Sequence, residues 1–411
     1  MPKHGRARLP SCKNNPNPPA MATLREHFRC IFHNAALRSL STTTPCTGES
    51  MKTYLPQLDG LRFFAFFFVL LHHHPLLATT PLAFVQREGW MGVDLFFALS
   101  AFLFARLLSI ENRVSGRIDT KRFYLRRILR IWPAYFVYVG FCLWANLFLH
   151  GTPTAFPWPR IAGLFTFTDN LFAAFQGYDP ISFSGHLWSI SYEEQCYILI
   201  PPVLWLLSRA SSRWRTTALF AAIAAGIAFK LLLILHGPGQ PSIYALSPSH
   251  FEPILFGGVL GMGTLDRFWH RLPGWFPLPL VVASVALLCV LPSDNDTTLW
   301  LFPKYLASGL AAAFMLQAAL SCDKLRAFLS HRVLVHLGRR SYGMYLYHPP
   351  AILVTDVVAR RVLGVHERMG LLSFVLALLV TWIAAHFSYQ WLESPFLRIK
   401  KRYEVVPSRP I

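Results

Sequence analysis

Long runs of apolar residues recur along the chain between residues 58 and 393. The first, LDGLRFFAFFFVLLHHHP, begins with Asp59 and Arg62, continues apolar on every helical face and ends in three histidines. A surface helix of a water-soluble protein would carry a polar stripe, so a helix that is apolar all round is typical of a membrane span. The pattern predicts an all-α, polytopic membrane protein with about ten transmembrane helices. The predicted spans are 61–79, 91–110, 130–149, 186–208, 217–236, 251–267, 277–292, 300–320, 341–359 and 371–393.

The composition supports this prediction, since 54% of the 411 residues are hydrophobic, 34 are Phe and only 14% are charged. A net charge of +19 would also suit a protein that binds nucleic acid. However, the basic residues gather in alternate connections, with 23 Lys and Arg on the side where the first span begins and five on the other. By the positive-inside rule, both termini are predicted to be cytoplasmic. No basic patch needs nucleic acid to explain it.

Residues 1–50 differ from the rest because they are basic, rich in Pro, Asn, Ser and Thr, and contain no predicted span. We interpret them as a poorly structured N-terminal extension, with Met51 as the working start of a membrane domain over 51–411. A transit peptide is the alternative. The seven cysteines show no CxxC or Cys/His ligand spacing, so neither a disulfide framework nor a metal site is predicted.

Arg62 and His73 lie eleven positions apart in the first span. Eleven α-helical residues make about three turns, with an angular error of about 20° and a rise of about 16.5 Å. The two side chains are therefore predicted to share one face, with Arg62 near a membrane edge and His73 far inside. Ionisable residues within a span are costly and usually functional. The alternative is that His72, His73 and His74 only mark the end of the span at the headgroups.

Two further pairs of polar residues lie at helical spacing. Arg127 and Arg130 stand at i and i+3 on a helix that enters the membrane from the cytoplasm. They suit a phosphorylated donor, because paired guanidiniums match phosphate oxygens, or they bind anionic lipid and fix topology. Glu193 and Tyr197 lie one turn apart near the outer start of another span. A carboxylate there is costly unless it binds a ligand or pairs with a cation.

Two other apolar segments carry small or polar residues. Asp94 and Ser100 lie within GWMGVDLFFALSAFL, where small residues also permit close helix packing. The segment 251–263, FEPILFGGVLGMG, is rich in glycine. Its glycines are predicted to allow close contact between helices rather than to bind phosphate.

Seven stretches taken together give the chain a resemblance to a known family. In order they are LDGLRFFAFFFVLLHH, GVDLFFALSAFL, RFYLRRILRIWPAY, HLWSISYEEQCY, LFGGVLG, SYGMYLYHPP and ESPF. Over residues 55–400 the chain resembles membrane acyltransferase family 3, multi-span enzymes that O-acetylate cell-surface sugars. Two positions depart from the family pattern, because Ala101 replaces the usual Gly and Cys196 the usual Phe; neither change removes an ionisable group.

The resemblance implies roles for the matching residues. The family's Arg-x10-His motif falls on Arg62 and His73, its RxxR motif on Arg127 and Arg130, and its WS-x3-E-x3-Y motif on Trp188, Ser189, Glu193 and Tyr197. His73 would be the catalytic base or would carry the acyl group itself. Glu193, Asp59 or Asp94 would orient it. The residues expected to support the substrate or the site are Asp94, Ser100, Trp188, Ser189, Tyr197, Ser341, Tyr342 and His348.

The resemblance also implies the substrates and the location. Arg62, Arg127 and Arg130 would hold the phosphates and pantetheine end of a cytoplasmic acyl-coenzyme A, most simply acetyl-coenzyme A. The acceptor would be a hydroxyl of a carbohydrate or lipid-linked glycan at the outer face. The expected location is the bilayer of the bacterial inner membrane, with no permanently bound cofactor, no metal and no nucleic acid.

A secondary transporter is the competing prediction, since ten spans with ionisable residues fit that class too. Transporters often contain two corresponding halves, but the Arg-x10-His and WSxxxE segments each occur once. Lys230 and Lys304 are candidate transport charges. Both lie near predicted span ends or a kink, so they are expected to snorkel towards the interface.

Overall fold

The computed structural model describes residues 54–74, 83–150, 157–178, 181–236, 241–292, 299–361 and 370–404. These residues form helices and connections and contain no β-strand, which confirms the all-α prediction. The extension predicted over residues 1–50, and Met51, lie outside this part of the chain.

The helices are α1 Pro56–His73, α2 Ala83–Glu88, α3 Met91–Ser115, α4 Thr120–His150, α5 Trp158–Thr166, α6 Asp169–Gln176, α7 Trp188–Arg209, α8 Ser212–His236, α9 Ser242–Ala245, α10 Glu252–Gly261, α11 Asp266–Trp269, α12 Pro277–Val290, α13 Leu301–Ser321, α14 Asp323–Leu329, α15 Arg332–Arg339, α16 Ser341–Arg361, α17 Gly370–Ser388 and α18 Ser394–Lys400. A π-helical segment, Tyr389–Glu393, joins the last two, and a short 3-10 turn, Lys401–Tyr403, follows. Each of the ten predicted spans overlaps one of these helices.

Within the described residues, three helical stretches are long and apolar enough to cross a membrane: Val85–Ser115, Thr120–Leu149 and Gly370–Tyr403. Leu301–Ser321 and Asp323–Leu329 form a further candidate that is bent by 95°. The membrane character of the chain is thus supported, while the count of ten spans and the cytoplasmic termini stay predictions.

Helix α1 lies at the centre of the bundle. Pro56 occupies its first turn, where a missing backbone N–H costs nothing, and Phe66, Val69 and Leu70 are fully buried. α1 packs against α3, α14, α15 and α16. Its apolar character on all faces therefore reflects enclosure by other helices, which gives the same pattern as contact with lipid.

Helices α3 and α10 pack closely through glycines, as the sequence predicts for 251–263. A Cβ atom added at Gly257 would collide with the carbonyl oxygen of Ala98, and one added at Gly261 would collide with that of Phe102. These two glycines, one turn apart, allow the α10 backbone to rest directly on α3.

Buried ion pairs connect distant helices. Lys230 in α8 is fully buried and pairs with Glu252 at the start of α10. Lys304 in α13 pairs with Glu88 at 3.1 Å and also donates to the carbonyl oxygen of Leu291 at 3.2 Å. The prediction that both lysines snorkel is wrong, because each ammonium has a buried carboxylate partner that offsets its desolvation.

Candidate functional site

Three cavities follow one another along α1. The histidine cavity, of about 590 Å³, is lined by His73, His186 and Tyr345 among others. The glutamate cavity, of about 90 Å³, contains Glu193 and Arg62. The arginine cavity, of about 70 Å³, also contains Arg62, so Arg62 and His73 face the two ends of one series of cavities. The i, i+11 spacing accounts for this arrangement because it places both side chains on the same face of α1.

The imidazole of His73 is exposed to the histidine cavity. Its Nδ1 lies 2.9 Å from the carbonyl oxygen of Val69, one turn earlier in α1. A carbonyl oxygen can only accept, so Nδ1 carries the hydrogen and Nε2 keeps a lone pair. This tautomer gives His73 a basic nitrogen.

The group that orients the His73 ring differs from the one predicted from the sequence. Asp59, Asp94 and Glu193 were the expected partners, but a backbone carbonyl fills that role. Asp59 accepts from Arg62 at 3.1 Å and from Tyr54 at 2.8 Å, near the far end of α1. A histidine in the last turn of a helix can donate to a backbone carbonyl one turn earlier. This bond orients the His73 ring, so no carboxylate is needed for that purpose.

Asp94 also lies in another environment. It is fully buried and accepts hydrogen bonds from Ser308 at 2.6 Å and from Tyr244 at 3.1 Å, and Nε2 of His250 lies 2.7 Å away. These partners belong to α13, α9 and the segment before α10. Asp94 therefore joins α3 to three other parts of the bundle, and its partner Tyr244 lines the histidine cavity while Asp94 itself does not.

The two histidines next to His73 in the sequence have other partners. Nδ1 of His72 lies 3.1 Å from the carbonyl oxygen of Gln86, although the ring also lines the histidine cavity. His74 follows the helix, is fully buried and packs against Phe374. The three consecutive histidines thus have three different sets of partners.

Two more imidazoles lie beside His73. The ring of His348 is 5.0 Å from that of His73, and the ring of His186 is 4.9 Å from that of His348. His348 was predicted from the sequence, whereas His186 was missed; the only sequence signal is its position two residues before Trp188. Among the described residues, no group of three or more His, Cys, Asp or Glu is arranged to hold a metal ion.

The glutamate cavity brings together several residues of the predicted motifs. Glu193 lines this cavity together with Ser100 of α3 and Tyr197 of α7. Ser341 and Tyr342 of α16 line the same cavity, and Tyr342 donates to the carbonyl oxygen of Ile131 at 2.8 Å. Glu193 and His73 line different cavities and do not contact each other.

The remaining two motif residues, Trp188 and Ser189, line two different cavities. Trp188 lines the histidine cavity. One position later, the Ser189 hydroxyl lines the glutamate cavity and lies 2.6 Å from the Tyr345 hydroxyl. The start of α7 therefore passes from one cavity to the next.

The arginine cavity is strongly basic. Five cationic side chains line it, with Asp59 as the acidic one: Arg62, Arg106, Arg127, Arg130 and Lys400. The guanidinium of Arg127 lies 4.2 Å from the centre of the Phe104 ring, and its buried Nε has no hydrogen-bond partner. Arg106 and Lys400 were not predicted from the sequence, and Lys400 comes from the other end of the chain.

Arg126, next to Arg127 in α4, has a structural role because its guanidinium has protein partners. It pairs with Glu111 at 3.1 Å and donates to the carbonyl oxygen of Tyr403 at 2.9 Å. Within the part of the chain that the structure describes, Arg127 and Arg130 form no such ion pair. Their charges are therefore available to an anionic ligand.

Comparison with known proteins agrees with these observations. A family model described as an acyltransferase domain matches residues 55–390. The chain is 28% identical over 370 residues to O-acetyltransferase OatA of Staphylococcus aureus, covering 83% of this chain and 57% of that protein. It is also 28% identical over 362 residues to the putative peptidoglycan O-acetyltransferase YrhL of Bacillus subtilis, covering 83% and 55%.

The chain spans just over half the length of these relatives. No solved structure matches it significantly. The family model nevertheless extends over most of the chain, from the start of α1 into the π-helical segment after α17. The chain therefore belongs to membrane acyltransferase family 3.

Proposed function

We propose that this protein is an O-acyltransferase that moves an acetyl group from cytoplasmic acetyl-coenzyme A to a hydroxyl of a carbohydrate at the outer face of the membrane. The observation that carries the proposal is the series of cavities along α1. The series has a basic cavity at one end and an accessible imidazole at the other. The comparisons do not support the transporter alternative, and Lys230 and Lys304, its candidate charges, are held in ion pairs.

The arginine cavity suits the donor. Coenzyme A carries several phosphate groups, and guanidinium groups bind phosphate oxygens through paired hydrogen bonds. Arg127, Arg130 and Arg62 would bind these phosphates. All three arginines also line the glutamate cavity, so the pantetheine arm would extend through it towards His73. The donor is a substrate that leaves after each turnover.

The histidine cavity suits the acceptor. Its volume of about 590 Å³ lies in the range of ligand pockets, and aromatic side chains such as Trp90, Trp188 and Tyr305 line it. Aromatic faces pack against the C–H faces of sugar rings, while the polar groups among them orient hydroxyls. The name of the Bacillus subtilis relative makes a peptidoglycan sugar the first acceptor to test.

His73 would act as general base. A sugar hydroxyl is a weak nucleophile at neutral pH, so a base must take its proton as the oxygen attacks the thioester carbonyl. Nε2 of His73 accepts this proton. A new C–O ester bond then forms, the C–S bond breaks, and the thiolate of coenzyme A takes up the proton as it leaves.

Transfer of label tests the proposed function. Membranes that contain the protein are supplied with acetyl-coenzyme A that is labelled in its acetyl group. They should incorporate the label into a sugar or glycan fraction as an alkali-labile ester. Membranes without the protein provide the control. Uptake of a solute without any transfer of label would favour the transporter instead.

The proposed topology places ten spans in the bacterial inner membrane with both termini in the cytoplasm. It rests on the asymmetry of Lys and Arg. In a background that lacks reactive native cysteines, Thr154→Cys should react with an impermeant thiol reagent in intact cells. Ser115→Cys, at the exposed end of α3, should react only after the membrane is opened. The reverse pattern would overturn the orientation.

A further inference from the structure

Two side chains lie between the histidine cavity and the glutamate cavity and line both of them. Val93 of α3 and Tyr345 of α16 line both cavities, and they are the lining residues that the two share. Both are buried, at 6% exposed. Tyr345 is the larger of the two and carries the polar group, so its position decides whether the cavities communicate.

The Tyr345 ring is held on both sides. Its hydroxyl lies 2.6 Å from the hydroxyl of Ser189 and donates to the carbonyl oxygen of His186 at 3.1 Å. The ring centre lies 5.2 Å from the His186 ring and 5.6 Å from the His348 ring. Tyr345 therefore stands next to the imidazoles that surround His73, at the point where the donor's route ends.

The hydroxyl contacts also make the wall movable. The Ser189 hydroxyl lies 3.0 Å from the carbonyl oxygen of His186, which can accept its hydrogen. When Tyr345 moves away, Ser189 therefore keeps a hydrogen-bond partner in this carbonyl oxygen. Moving the tyrosine costs less free energy when its hydrogen-bond partner has a second acceptor than when that partner would lose its only one.

A wall is needed because the two substrates arrive from opposite sides. The donor thioester comes from the arginine cavity, and the acceptor comes from the histidine cavity together with water. Water that reached the thioester would break the C–S bond, form a C–O bond to the acyl carbon, and release acetate and coenzyme A. Active sites avoid such side reactions by excluding water until both substrates are in place.

We propose that Tyr345 is the movable partition between donor and acceptor, which keeps water of the histidine cavity away from the thioester and yields when the acceptor displaces that water. The inference rests on the proposed function, since it assumes that a thioester occupies the glutamate cavity. Tyr345 is a positioning residue in this scheme, because the proton passes to His73.

The experiment measures two products from acetyl-coenzyme A in the same membranes: acetyl ester on the acceptor and free acetate. Tyr345→Ala removes the ring and should raise the ratio of free acetate to ester by about tenfold or more, because water reaches the thioester. Tyr345→Phe keeps the ring and loses only the hydroxyl contacts, so its ratio should rise less. Ser189→Ala removes one hydroxyl partner of Tyr345 and should also give an intermediate rise.

Tyr347→Ala is the matched control. Tyr347 lies two residues along the same helix, bonds to Ser388 at 3.1 Å and lines neither cavity. Its ratio should equal that of the wild type, whatever the loss in protein level. Equal ratios in Tyr345→Ala and Tyr347→Ala, with ester still formed by the wild type, would overturn the partition alone. Absence of ester formation in the wild type would overturn the proposed function and the partition with it.

Discussion

Replacement of His73 by alanine should reduce acetyl transfer by about 10²- to 10⁴-fold, the loss typical of a positioned general base. The reason is geometric as well as chemical. His73 is exposed to the cavity in which the acceptor is proposed to bind, and its bond to the carbonyl oxygen of Val69 leaves Nε2 basic. Radiolabel transfer in membranes with equal amounts of each protein measures the effect.

The neighbouring histidines supply controls of identical chemistry. His72→Ala and His74→Ala should cost much less, because His72 is engaged with the carbonyl oxygen of Gln86 and His74 is fully buried against Phe374. Equal and mild losses at all three positions would exclude a catalytic role for His73. If only His72 proved essential, the alignment of His73 with Arg62 would have no functional meaning.

Arg127→Ala and Arg130→Ala should each raise the KM for acetyl-coenzyme A by about 10- to 100-fold, with a smaller change in kcat. A hydrogen bond to a charged group contributes about 1.5–3 kcal/mol, which corresponds to that range. The structure favours this role because neither guanidinium has a carboxylate partner among the described residues, whereas Arg126 of the same helix has one. Initial rates over a range of donor concentrations measure the effect.

Arg122→Ala is the matched control, because it removes the same charge from an exposed position of α4. Arg122 pairs with Asp119 at 3.2 Å and lines none of the three cavities. Its KM should stay at the wild-type value. If Arg127→Ala and Arg130→Ala lowered only the amount of protein in the membrane, the two arginines would be topological anchors.

The sequence predicted the parts of the site that depend on local geometry. Helical periodicity alone relates Arg62 to His73, Arg127 to Arg130 and Glu193 to Tyr197, and the structure keeps these relations. The partner of His73 was also within reach of the sequence. Histidines in the last turn of a helix often bond to carbonyls of that turn, so Val69 was a better candidate than any distant carboxylate.

The contributions of distant segments could not be read in this way. Lys400 enters the arginine cavity from the end of the chain, and Tyr345 reaches Ser189 across 156 positions. Such contacts depend on how the helices pack, and no periodicity in one helix records them. The same holds for Lys304, whose partner Glu88 lies 216 positions away.

The buried pairs Lys230–Glu252 and Lys304–Glu88 affect the order in which helices can enter the membrane while the protein is being synthesised. An unpaired lysine within a span disfavours insertion, by about 2.5–3.5 kcal/mol at the centre of the span and by less towards its ends. Lys304 emerges after Glu88 is already in place, whereas Lys230 emerges 22 residues before Glu252. As a proposed span, helix α8 should therefore integrate stably only once α10 has followed it. Nascent chains that end just before or just after Glu252 should then differ in how firmly the membrane holds α8.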